Sequence, residues 1–104
     1  MDTLTRLEAT IFRRMSADPG SSYVASLAAR GVPVMARKLG EEAVEAIVAA
    51  LSGSRDELVG EAADVLFHLT VLLAAKNVPL ALVMAELERR EGTSGLSEKA
   101  GRSA

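Results

Sequence analysis

Five carboxylates, Glu41, Glu42, Glu45, Glu61 and Asp64, have the types and spacing best able to do chemistry in this chain. Residues three or four apart on a helix share a face, with β-carbons about 5–6 Å apart. Glu42 therefore pairs with Glu45, and Glu61 with Asp64. Two such pairs facing each other can hold divalent cations. A carboxylate set without thiols selects hard, oxygen-loving ions, which means Mg²⁺ first and Mn²⁺ second. Seven of the fourteen acidic residues lie between Glu41 and Asp64. Two of those seven, Asp56 and Glu57, fall at the start of a helix, where acids cap the chain end and complement the helix dipole.

The elements that position these groups follow from hydrophobic periodicity. Leu4, Leu7, Ile11, Phe12 and Met15 predict an amphipathic helix over 3–15, with Asp2 or Thr3 as its N-cap. A break at 16–22 precedes a short helix that Gly31 closes, and Pro33 suits the first turn of the next helix. That helix spans about 33–51. Lys38, Glu41, Glu42 and Glu45 occupy one arc of roughly 100° on it, while Met35, Leu39, Val44, Ile47, Val48 and Leu51 fill most of the remainder. Ser54 and Glu57 have the capping-box spacing, and the helix they open reads as buried through Ala75 with one titratable stripe, Glu57, Glu61, Asp64 and His68. A last helix is expected over 80–91 with Leu82, Val83 and Leu87 inward. The loops are short, as in antiparallel bundles.

Composition narrows the class. At 104 residues the chain is one domain with a modest core of its own, placed over 1–91, with a tail of low structural content at 92–104. Hydrophobic residues are 49% and aromatics only 3%, which favours closely packed helices and an all-α fold. A net charge of −2 gives no footprint for nucleic acid. The segment from Leu58 to Ala75 is apolar enough to raise the question of a membrane span, but Glu61, Asp64 and His68 argue against it, since an acid at a bilayer centre costs roughly 2.5–3.5 kcal/mol. With no cysteine and no secretory signal, a cytoplasmic location is expected.

Each candidate residue has a plain structural alternative. Glu41, Glu42 and Glu45 alone would serve as a solvated face, with Lys38 pairing to Glu41 or Glu42. Glu61 and Asp64 resist that reading, because their helix has almost no other polar surface and acids are rarely buried without partners. Residues 57–75 offer no lysine or arginine, and Arg37, Lys38 and Lys76 are too few to neutralise both helices. Metal ions would. His68, one turn beyond Asp64, could support a metal ligand, act as a base, or be a buried histidine bonded to structure. Tyr23 could stack on a ligand or simply pack. A carboxylate cage of this kind suits a polyphosphate, and with no Walker-type loop or Rossmann fingerprint, Lys38, Arg37 and Arg30 are the nearest phosphate ligands.

Glu42-x2-Glu45, fifteen residues, then Glu61-x2-Asp64 resembles the signature of the all-α nucleoside-triphosphate pyrophosphatase superfamily, the MazG-like and dimeric dUTPase group. The runs SSYVASLAARG, KLGEEA and EAADVLFHL, within a likeness covering about 4–98, look like the phosphoribosyl-ATP pyrophosphatase family of histidine biosynthesis. Relatives often carry Thr at Val24 and Tyr at Phe67. The resemblance implies hydrolysis of phosphoribosyl-ATP to phosphoribosyl-AMP and pyrophosphate, with Glu42, Glu45, Glu61 and Asp64 as Mg²⁺ ligands. Glu41 would be a further ligand or the base for water, Glu61 would share in catalysis, and Lys38 would touch phosphate. It also implies a four-helix-type bundle completed by a homodimer. A house-cleaning nucleotide pyrophosphatase of the same superfamily would use the same four acids.

Overall fold

The computed structural model describes residues 2–92 together with Gly95, Lys99 and Gly101. Five helices order the chain: α1 (Thr3–Met15), α2 (Tyr23–Arg30), α3 (Val32–Ser52), α4 (Arg55–Ala75) and α5 (Leu80–Arg89). No strand occurs among the described residues, as the all-α expectation requires. The expected tail at 92–104 lies, apart from Gly92 and those three residues, outside the described residues.

Local chemistry sets the helix starts. The Asp2 carboxylate accepts the Thr5 N–H at 2.8 Å, the Ser22 hydroxyl that of Ala25 at 3.2 Å, and the Ser54 hydroxyl that of Glu57 at 3.1 Å. Gly31 turns the chain from α2 into α3 at φ 94°, a conformation that strains any residue with a β-carbon. At the α3–α4 turn the constraint is space instead. A methyl group on Gly53 would lie 2.9 Å from the Ala49 carbonyl oxygen, so the two long helices can close only over glycine.

The core gathers at one end of that hairpin. Ile11, Val24, Leu27, Met35, Val71 and Ala74 pack together, drawn from α1, α2, the start of α3 and the end of α4. Each of the two long helices has 21 residues, or about 31 Å at 1.5 Å per residue. Their far ends leave the core as a bare arm: residues 51–60 are all exposed.

Two expectations need correction. The reading of α4 as a buried helix fails within one chain, because only 22% of its most apolar stretch is buried. Its buried residues, His68, Thr70, Val71 and Ala74, all lie in the half that meets the core, while the other half begins with six exposed residues, 55–60. By length and composition α4 is also long and apolar enough to cross a membrane. In α5, Leu82 and Leu87 are exposed rather than inward, and Leu80 is the buried residue. The helix is fastened by its first turn: the Leu80 N–H donates to Glu8 Oε2 of α1 at 2.7 Å, supplying the cap that Pro79 has no side chain to give.

Candidate metal centre

The acids sit where the arm leaves the core. Pairing of α3 with α4 brings Glu42, Glu45 and Glu61 together, one carboxylate oxygen from each lying within 4.8 Å of the others. Asp64 is exposed and outside this trio, though its charge acts on both Glu42 and Glu61. Glu42 Oε2 and Glu61 Oε2 are buried without a hydrogen-bond partner. Converging carboxylates with orphaned oxygens are costly in a protein interior. Hard divalent cations take such oxygens as ligands, so the residues present fit Mg²⁺ or Mn²⁺.

Electrostatics report the same crowding. Burial pushes the Glu42 and Glu61 carboxyls above the ordinary glutamate range, and the neighbouring Glu45 and Asp64 carboxylates push them further. A raised folded-state pKa means that the fold binds protons more tightly than the unfolded chain. The resulting stabilisation is fully present below the ordinary value of 4.5 and is lost as pH rises through the raised value. Metal-free protein should therefore melt at progressively lower temperature, relative to Glu61→Gln, as pH climbs from 4.5 toward neutrality. A difference curve that stays flat would contradict this. Glu86 titrates in a separate window. Hydrogen bonds from Arg89 and then Arg90 hold it at about 2, so its contribution is complete above 4.5 and fades only below.

Around the trio the other candidates take distinct positions. Glu41 is exposed and faces Arg37 Nε at 3.6 Å and Lys38 Nζ at 3.5 Å, loose contacts worth little to stability. Arg30 is exposed at the end of α2 and has no hydrogen bond or ion pair to the acids among the described residues. A cleft of about 290 Å³ opens from Glu45 and Glu61 along Val48, Ser52 and Glu57 toward the hairpin turn.

His68 is buried, with Nε2 3.9 Å from Glu42 Oε1. Burial, and then the positive charge of Lys38, lower its pKa and favour neutral imidazole. Its ring stands edge-on to Phe67 at 5.2 Å and to Tyr23 at 5.9 Å, and Tyr23 stacks on Phe67 at 6.1 Å and 19°. Phe67 enters the sequence reading only as a position where relatives carry Tyr, not as a partner of His68. The chain has three aromatic residues and one histidine, and two of those aromatics bracket that histidine. The adjacency of Phe67 to His68 was the available signal, but Tyr23 joins only through tertiary packing.

Comparison with known proteins places the chain in a family. A phosphoribosyl-ATP pyrophosphohydrolase family profile matches residues 4–91. A phosphoribosyl-ATP pyrophosphatase of Erythrobacter litoralis is 65% identical over 102 residues, covering 98% of each chain. The protein of that name from Novosphingobium aromaticivorans is 62% identical, covering 98% of this chain and 95% of its own. One from Cereibacter sphaeroides is 63% identical, covering 98% and 99%. With a family profile across most of its length and relatives of this identity along nearly all of it, the chain belongs to the phosphoribosyl-ATP pyrophosphohydrolase family.

Proposed function

We propose that this chain hydrolyses phosphoribosyl-ATP to phosphoribosyl-AMP and pyrophosphate, the second step of histidine biosynthesis, as a Mg²⁺-dependent cytoplasmic homodimer. The observation that carries the chemistry is the Glu42, Glu45 and Glu61 trio with its two orphaned buried oxygens. Asp64 completes the ligand set from the rim. Bound there, Mg²⁺ supplies neutralisation of phosphate charge and a water of lowered pKa.

The protein's own groups do the rest. Glu42, Glu45 and Glu61 fix where the pyrophosphate linkage must lie, because two helices hold their carboxyls at one point. Glu41 stands next to Glu42 and faces solvent, where it can take the proton of the attacking water. Arg37 and Lys38 contact Glu41 loosely, so an arriving phosphate can draw both cations away and free that carboxylate for the proton. Tyr23 offers an exposed ring beside the site for the substrate's base, and Arg30 adds positive charge for its phosphates.

Homodimerisation rests on the arm. Val44, Ile47, Val48, Leu51, Val59 and Leu66 are exposed, Leu51 by 82% and Val59 by 63%, although a two-helix arm needs apolar cover on more than the one face it shares. A second copy of the same hairpin supplies that cover and makes four helices from two.

The assay is Mg²⁺-dependent pyrophosphate release from phosphoribosyl-ATP set beside dUTP, dCTP and ATP. Release from phosphoribosyl-ATP should exceed the others. Preference for a free nucleoside triphosphate would instead make the chain a house-cleaning pyrophosphatase.

A further inference from the structure

His68 meets Glu42 in a way that the ligand set does not explain. It is the one imidazole in the chain, it is 5% exposed, and two perpendicular aromatic rings hold its plane. Nδ1 is buried with no hydrogen-bond partner, whereas Nε2 faces Glu42 Oε1 at 3.9 Å. A neutral imidazole carries one N–H. Orphaned N–H donors are rarer in protein interiors than under-satisfied acceptors, so the bare Nδ1 holds the lone pair and Nε2 holds the proton. Nε2 has one oxygen of Glu42, Oε1, as its neighbour, and the other, Oε2, is buried without a hydrogen-bond partner. The separation exceeds a hydrogen bond by about 1 Å, so the bond requires the Glu42 carboxylate to turn toward the ring.

We infer that His68 is a positioning residue. Its Nε2–H takes Glu42 Oε1 when the carboxylate settles, fixing the carboxylate plane so that Oε2 is presented to the divalent ion. This rests on the metal reading given under Proposed function. Aromatic packing around His68 thus has a use beyond the core: it aims an N–H donor at a ligand. Outer partners of this kind typically change metal affinity by roughly 10–100-fold when removed.

Three substitutions separate aiming from packing. In His68→Gln the amide nitrogen stands at the same number of bonds from the backbone as Nε2. In His68→Asn it stands where Nδ1 was, and His68→Phe keeps a ring and loses the donor. Binding of Mn²⁺ is measured by titration calorimetry, with melting of the metal-free protein as a second readout. His68→Phe and His68→Asn should bind Mn²⁺ roughly 10–100-fold more weakly, His68→Gln should bind close to the parent, and His68→Phe should melt near the parent without metal. Unchanged affinity in His68→Phe, or affinity in His68→Gln as weak as in His68→Asn, overturns the inference while leaving the metal centre standing. If His68→Phe does not fold, the Gln and Asn pair decides alone, with equal affinities counting against it. A parent protein that binds no Mn²⁺ overturns the metal reading and this inference together.

Discussion

Glu61→Gln is expected to cut pyrophosphate release by more than about 100-fold, beyond the range typical of losing a group behind the ligands, with helix content unchanged. Three facts combine to make this the most damaging single substitution. Glu61 belongs to the trio whose oxygens lie within 4.8 Å of one another. One of its oxygens is buried and unpartnered, so replacing it with an amide leaves the fold no worse satisfied and removes one negative charge from a crowded site. Burial and the neighbouring carboxylates already raise the Glu61 pKa, so the metal-free variant should be at least as stable as the parent at neutral pH. Activity and stability should therefore part company. Circular dichroism, melting with chelator, and pyrophosphate release on the same samples decide it. Near-parental turnover would remove Glu61 from the machinery, and a collapse of helix content would make its role structural.

Four-residue periodicity is a local property, and it placed Glu42 with Glu45 and Glu61 with Asp64 on their own helices. The capping signals Asp2 and Ser54 are local too, and each caps the helix it was expected to start. Which acids actually meet depends on how α3 lies against α4, and periodicity does not contain that. Asp64 shares a stripe with Glu61, yet it ends on the rim while Glu45 joins from the other helix. The same limit hid the bracket around His68, since Tyr23 comes from α2. Burial was the least legible property of all. The apolar sequence of α4 reads as interior, but within one chain Leu58 and Val59 stay exposed. Apolar sequence marks a surface that is to be covered, and not what covers it.

The arm turns that ambiguity into the second large effect. If a second copy covers it, Val48→Asp combined with Leu51→Asp should convert a dimer to a monomer, because both side chains are exposed in one chain and lie on successive turns of α3. Burying a valine or leucine contributes about 1.5–3 kcal/mol, so the pair forfeits roughly 3–6 kcal/mol before the cost of carrying two carboxylates into an apolar contact is counted. At 1.4 kcal/mol per tenfold, the dissociation constant rises by at least about 100-fold. Sedimentation velocity across a range of concentrations reads this directly. Helix content at low temperature should survive, since neither side chain belongs to the core that holds α1, α2 and the base of the hairpin. Thermal stability should instead lose its dependence on protein concentration, the mark of a fold that draws part of its stability from association. Turnover should fall with the dimer, because the acid trio stands at the foot of the arm and its spacing depends on how α3 and α4 pair. A parent that sediments as a monomer at every concentration would refute the dimer. A double variant that remains dimeric would move the interface off the arm.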